Sequence, residues 1–407
     1  MIKPPRVLGI ILAGGKGERL DPLTKERSKP SVPFGGRFRI VDFVLSNFIN
    51  SGIYGIHLLV QYKSQSLIDH LNAAWRLAPL IRDHFISVVP PQMRWGDSWY
   101  RGTADAVYQN LNLIADYNPE LVAIFGADHI YRIDIRQMIE FHIEKKADVT
   151  VCARPVPVDR ASGFGIIQVD KQGRFIGFEE KPRAPKHMPG EPGMAFSSMG
   201  NYLFDAKLLR DVLEADAQQT SAHDFGKTIL PALYGEKRIY AYDFRKNEIP
   251  GMRPGEEAAY WRDVGDLESY WEAHMDLLGA KPKLDLNNSD WPIQSRPMTS
   301  GPARIIKGEI VDSTVGGGAI VHGGKIRRSV VSRDVTIGEG AELDECVICD
   351  HTTIGAGAKL KRVIVDRWNE IAPGEVIDAK TSWDRKGYVV DPSGIVVVAR
   401  GKTRALQ

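Results

Sequence analysis

Short, mostly apolar runs alternate with amphipathic stretches through the first part of the chain. Val7 to Leu12, Gly55 to Val60, Ile86 to Val89, Leu121 to Phe125 and Asp148 to Ala153 have strand length and are rich in Val, Ile and Leu. Between them, apolar residues recur at helical spacing. Ile40, Phe43, Val44 and Phe48 predict a helix from Ile40 to Ser51 that Gly52 ends. Leu67, Ile68 and Leu71 follow Ser64. Val107, Leu111 and Ile114 predict one helix N-capped by Thr103, and a further helix runs from Ile135 to Lys145. Strands apolar on both faces, alternating with helices, predict an α/β domain with a mostly parallel sheet covered by helices on both faces. Ile166–Val169 and Phe175–Phe178 predict a hairpin, Ser197 starts another strand, and a helix spans about 267 to 278.

The texture then changes. Residues 281–303 are rich in Pro, Asn and Ser and read as a linker between a first domain, 1–280, and a second, 304–407. In the second, Ile320, Ile337, Ile354 and Ile371 are spaced by seventeen, as are Ile326, Leu343 and Leu360, and Val331, Ile348 and Val365. Three inward aliphatic positions per repeat, about six residues apart, predict a parallel β-helix of hexapeptide repeats. Such coils stack on one another and commonly associate between subunits. The linker is long enough to permit relative motion.

Composition narrows the class. The 407 residues carry 53 Lys and Arg against 51 Asp and Glu, a net charge of +2. That balance leaves no nucleic-acid footprint. No signal segment or long apolar span is present, so a cytoplasmic protein with no membrane partner is expected. Cys346 and Cys349 form a C-x-x-C, but no second ligand pair follows for zinc and no helix follows in a thioredoxin-like setting. They read as two small semi-buried residues.

The candidate chemistry lies where apolar runs stop. Val7 to Leu12 leads through Ala13 into Gly14-Gly15-Lys16-Gly17-Glu18-Arg19. Glycines there let backbone amides approach and point at a polyphosphate, with Lys16 and Arg19 nearby. The loop is neither a G-x-x-x-x-G-K-[ST] nor a G-x-G-x-x-G motif, and the second strand ends in Gln61 and Tyr62 without the acid that a dinucleotide ribose requires. A plain strand-to-helix turn is the competing reading. Asp128 and Asp263 each stand at an abrupt strand end among small residues, and two carboxylates beside a phosphate loop suit a magnesium ion. Lys181, between Glu180 and Pro182, is placed to grip a second phosphate, and Lys29 and Arg19 to spread over those of a nucleotide. His129 follows Asp128 and reads equally as structural or catalytic.

Gly14-Gly15-x-Gly17-x-Arg19-Leu20 followed by Lys29-Pro30 resembles the signature of sugar nucleotidyltransferases. Further stretches are similar to the ADP-glucose pyrophosphorylase family of bacteria: Leu45-Ser46-Asn47, Trp99 to Asp105, Asp128-His129-Ile130-Tyr131, Ser198-Met199-Gly200 and Tyr260 to Gly265. The resemblance covers almost the whole chain. It implies a Rossmann-like nucleotidyltransferase sheet joined to a left-handed β-helix, in a homotetramer. It implies transfer of the adenylyl group of ATP to α-D-glucose 1-phosphate with Mg2+, giving ADP-glucose and pyrophosphate for glycogen synthesis. On matching positions, Leu12, Ala13, Gly14, Gly15, Gly102 and Thr103 would hold the nucleotide, with Gln61 near the adenine. Arg19 and Lys29 would steady the triphosphate, and Asp128 and Asp263 would carry the metal. Tyr100, Gly165, Glu180, Lys181 and Ser198 would bind glucose 1-phosphate. Arg27 and Arg39 match the family's sugar-phosphate effector contacts, whereas Glu26 and Pro33 stand where other members carry Lys and His. UTP or dTTP in place of ATP, a non-catalytic regulatory subunit, and a β-helix acyltransferase using His322 or His351 are the rival readings.

Overall fold

The computed structural model describes residues 4–77, 80–92, 99–297, 299–383 and 387–401. Met298 of the expected linker and residues 384–386 and 402–407 of the expected second domain lie outside them. The predicted apolar runs are strands: β1 (Val7–Ala13), β2 (Gly55–Val60), β3 (Phe85–Val89) and β4 (Leu121–Gly126). They pair in parallel in the order β4-β1-β2-β3. Their connections are α1 (Ile40–Asn50), α2 (Gln65–Ala74), α3 (Thr103–Tyr108) and α4 (Leu111–Tyr117). Every residue of β2 is buried, which is why its sequence shows no alternation.

The one helix expected after Thr103 is two. Gly102, not Thr103, is the capping residue, and the helix breaks at Gln109-Asn110. The Asn110 amide donates to the Ala106 carbonyl oxygen (2.8 Å) and to the Tyr100 hydroxyl (3.0 Å), and this local side-chain bond competes with the helical ladder.

Beyond β4 come β5 (His129–Tyr131), α5 (Ile135–Glu144), β6 (Val149–Pro157), β7 (Gly165–Val169), β8 (Phe175–Glu180), β9 (Met194–Asp205), α6 (Ala206–Ala217) and β10 (Ile239–Asp243). The twelve-residue β9 pairs antiparallel with β4, β6 and β7, and so continues the sheet past the parallel strands. β7 and β8 are the expected hairpin. A two-stranded ribbon of β5 and β11 (Trp261–Asp263) sets Asp263 opposite His129. The last helix is α7 (Leu267–Met275).

Residues 304–377 wind into a parallel β-helix, with two of its three faces stacked five strands deep. Leu343 pairs with Leu360 and Ile348 with Val365, as the seventeen-residue period requires. Ile320 does not follow that period. It pairs with Thr336, while Val321, fully buried, pairs with Ile337. One residue fewer is used around the Gly323-Gly324 corner. A one-residue slip exchanges the inward and outward sides of a strand.

The described residues of 281–303 form no helix or strand, yet the segment is seated on the first domain. Leu284, Trp291 and Ile293 are buried, Gln294 donates its amide to Ser46 Oγ (2.8 Å), and Ser295 Oγ donates to Asp42 (2.6 Å). The β-helix is also docked. Val347, Ile364 and Val397 share a core with Leu20, Leu23, Val32, Phe34 and Tyr270. Trp271 Nε1 donates to the Glu345 carbonyl oxygen (2.9 Å), and the Arg362 guanidinium lies 4.3 Å from the Trp271 ring.

Candidate active site

A cleft of about 960 Å3 opens beyond the carboxyl ends of β1, β2 and β4, where an open α/β sheet binds its ligands. Its floor is the loop after β1. Leu12, Ala13, Gly14 and Gly15 line it, and a Cβ on Gly15 would meet nothing within 4 Å, so the backbone there faces open space. Gly17 is required for a different reason. Its φ is +68°, and a Cβ would come within 2.9 Å of Lys29 Cβ. That contact brings the Lys29-Pro30 turn against the glycine loop.

Lys29 is buried, and its Nζ lies 3.0 Å from Asp128 Oδ2 and 3.0 Å from Asp263 Oδ1. Burial opposes the ammonium charge, but the two carboxylates outweigh it and raise the Lys29 pKa above its ordinary value. Partial loss of water in the cleft would push the Asp128 carboxyl up, and Lys29 together with His129 holds it below the usual carboxylate range. Arg19 lies across the turn after β11: a Cβ on Gly265 would sit 2.8 Å from its Nη2 and 3.2 Å from Asp263 Oδ1. Two cations and two carboxylates therefore converge at the mouth of the glycine loop.

Asp128, His129 and Asp263 offer ligand atoms within 4.8 Å of one another, and among the described residues they are the group of three able to hold a metal ion. The donor set fits a divalent cation. Two carboxylates converge on one point, and the Lys29 ammonium, 3.0 Å from each, already brings a positive charge to them.

The residues expected on the nucleotide side form the next wall. Gln61 Oε1 accepts from the Tyr100 amide (2.9 Å), so the side chain expected near a base also anchors the 100–103 turn. Gly102 and Thr103 line the cleft. Thr103 Oγ1 donates to Asp224 Oδ2 (3.0 Å) and accepts from the Phe225 amide (3.1 Å). Gly102 has no room for a side chain: a Cβ would fall 2.2 Å from the His223 carbonyl oxygen. Gly102→Ala is expected to displace this turn; if the turn holds the nucleotide as the sequence resemblance implies, the KM for that nucleotide rises by about tenfold or more, read from initial rates.

Of the sugar-side candidates, Tyr100, Gly165, Glu180 and Ser198 line the cleft. A Cβ on Gly165 would strike the Phe178 ring at 2.5 Å. Lys181 does not line it; its side chain is exposed, with its backbone at a φ of 47° and its amide donating to the Phe164 carbonyl oxygen (3.0 Å). Among the wall residues that sequence reasoning missed are Phe178, Tyr202, Asp224 and Trp261. Trp261 was within reach, two residues before Asp263. Asp224 had no local signal.

Arg27 and Arg39 lie elsewhere, between the first domain and the β-helix. Arg27 is 1% exposed, with Nη2 2.5 Å from Asp366 Oδ2; its Nε and Nη1 are buried without a hydrogen-bond partner among the described residues. Arg39 donates to the Ser66 carbonyl oxygen (2.7 Å). Burial, with the like charges of Arg367 and Arg27, lowers its pKa to about 9. Arg367 is the third cation of this cluster, and sequence reasoning missed it.

The sequence matches the nucleotidyl transferase family model over residues 8–279 and a GlmU-like C-terminal hexapeptide model over 301–398. The chain belongs to the nucleotidyl transferase family, its sheet followed by a left-handed β-helix. It is 53% identical over 397 residues to a glucose-1-phosphate adenylyltransferase of Thermodesulfovibrio yellowstonii, covering 97% of this chain and 96% of that protein. It is 50% identical to one of Thermus thermophilus (97% and 98% covered) and 45% identical to one of Deinococcus radiodurans (98% and 99%). Within the family it belongs with the glucose-1-phosphate adenylyltransferases. Among the described residues, no helix is long and apolar enough to cross a membrane.

Proposed function

We propose that this chain transfers the adenylyl group of ATP to α-D-glucose 1-phosphate, giving ADP-glucose and pyrophosphate for glycogen synthesis in the cytoplasm, as a homotetramer. The observation that carries the reading is Lys29 held 3.0 Å from both Asp128 and Asp263 beside the bare glycine loop, in a chain about half identical to such enzymes along its length. The sugar phosphate is already ionised at neutral pH, so no general base is required. Its oxygen attacks the α-phosphorus in line; the new P–O bond forms as the bond to the departing pyrophosphate breaks. The backbone from Leu12 to Gly15 and the Gly102-Thr103 turn hold the triphosphate. Arg19 and Lys29 offset the charge that develops on it. Mg2+, held by Asp128 and Asp263, would supply charge neutralisation at the phosphates. Tyr100, Gly165, Glu180 and Ser198 on the cleft wall position glucose 1-phosphate, and Lys181, exposed just outside that wall, is the cation that would turn in to reach its phosphate. Lys181→Ala is expected to cripple turnover at low glucose 1-phosphate while the melting temperature is retained, since the side chain is exposed and packs no core.

The arginine cluster supports a second part of the reading, an anionic effector of the sugar-phosphate class at Arg27, Arg39 and Arg367. Three like charges share one region, and two Arg27 nitrogens lack partners among the described residues. A cleft of about 90 Å3 bordered by Glu26, Arg27 and Arg400 adjoins it.

One assay tests both parts: pyrophosphate release with Mg2+ and glucose 1-phosphate, supplied with ATP, UTP, dTTP or GTP, with and without fructose 6-phosphate, fructose 1,6-bisphosphate or pyruvate. Release with ATP alone is expected. A preference for UTP or dTTP overturns the substrate, and no release in any lane turns the reading to a regulatory subunit.

A further inference from the structure

The segment Ser221–Phe225 touches the nucleotide turn from behind, and its shape depends on one buried histidine. His223 has a φ of 48°, a left-handed conformation unusual outside glycine, and is 4% exposed. Its side chain is tied to the end of α6: Nδ1 lies 2.7 Å from Asp216 Oδ2 and 3.1 Å from Ser221 Oγ. Ser221 Oγ donates in turn to Asp216 Oδ1 (2.8 Å) and accepts from the His223 amide (2.9 Å). This closed set of bonds holds the backbone in its strained turn.

What that turn presents is the His223 carbonyl oxygen. It accepts from the Ala104 amide at 2.8 Å, in the first turn of α3, and it is the atom that Gly102 can approach only for want of a Cβ. The next residue, Asp224, takes the Thr103 hydroxyl, and Phe225 donates to that hydroxyl. Three successive residues of the segment therefore set the place of Gly102 and Thr103, while the imidazole itself is not on the cleft wall.

We infer that His223, held by Asp216 and Ser221, is a positioning residue for the nucleoside triphosphate, acting through the Gly102-Thr103 turn. This rests on the reading of that turn as part of the nucleotide site. The reacting atoms are never touched by the histidine, so its loss acts on nucleotide affinity before it acts on the chemical step.

The test is calorimetric binding of ATP with Mg2+, in the absence of sugar phosphate, to the full-length protein and to His223→Ala, Asp216→Ala and the double variant. His223→Asn serves as a milder change, because Asn tolerates the left-handed backbone. Each single variant is expected to raise the ATP dissociation constant about tenfold and the double variant no further, since residues acting through one bonded unit are not additive. Steady-state rates are expected to follow as a raised KM for ATP with kcat within about threefold. An ATP affinity within about twofold of the unaltered protein in a folded variant, or losses that multiply in the double variant, would overturn the inference. Absence of ATP binding by the unaltered protein would instead strike the nucleotide-site reading itself.

Discussion

Asp128→Ala is expected to lower kcat for pyrophosphate release by about a thousandfold, at saturating ATP and glucose 1-phosphate. The carboxylate contributes in two ways. It is one of two oxygen donors suited to a divalent cation, and it holds the Lys29 ammonium at 3.0 Å. Truncation leaves Lys29 paired to Asp263 alone and drawn off the axis between the two strand ends. The fold is expected to survive, because the Asp128 side chain is 42% exposed and no core closes over it. Asp128→Asn separates shape from charge: recovery of activity in that variant would mean that the negative charge is dispensable. Turnover near that of the unaltered protein in Asp128→Ala would remove Asp128 from the metal site altogether.

The same ion pairs make a prediction about pH. The Asp128 pKa is depressed, so its contribution is fully present above the ordinary carboxylate value of about 3.9 and is lost only as pH falls below it. The Lys29 pKa is raised, so its contribution is present below about 10.4 and lost only as pH rises past it. Neither group titrates near neutrality, and the acid limb of a pH–rate profile belongs to other groups.

Arg27→Ala is expected to lower unfolding free energy by about 3–5 kcal/mol, measured by denaturant titration. Asp366 is 1% exposed, and removal of the guanidinium leaves it buried and charged without its partner across the two domains. Replacing both members, Arg27→Met with Asp366→Leu, is expected to recover most of the loss, because no uncompensated charge then remains. A change within about 1 kcal/mol for Arg27→Ala would show the pair to be solvated, contrary to its burial. Arg27 stands two residues from Lys29, so the strand of chain that closes the domain contact is the one that delivers the site lysine.

Pro, Asn and Ser at 281–303 mark a segment that lies mostly between the two matched family models and has no helix or strand among its described residues, but composition carries no information about what covers it. Here Trp291 and Ile293 fill the surface left by α1, and the β-helix is seated against α7.

What the sequence by itself determined is everything carried by local periodicity or a contiguous motif. Apolar runs of strand length placed β1, β2 and β4, because a strand buried on both faces has few polar positions and no alternation. The seventeen-residue period placed the coils from Ile337 onward, because each coil repeats the same three inward positions. The glycine loop and both aspartates stood at strand ends, where side chains leave the sheet. The tertiary structure alone decided which distant groups meet. Lys29 reaches Asp128 across 99 residues and Asp263 across 234, and Thr103 meets Asp224 across 121. It also decided the break between α3 and α4 and the slip at Gly323-Gly324, where one side-chain bond or one missing residue overrides the period. Periodicity records which face of an element is buried; only packing decides which element lies on the other side.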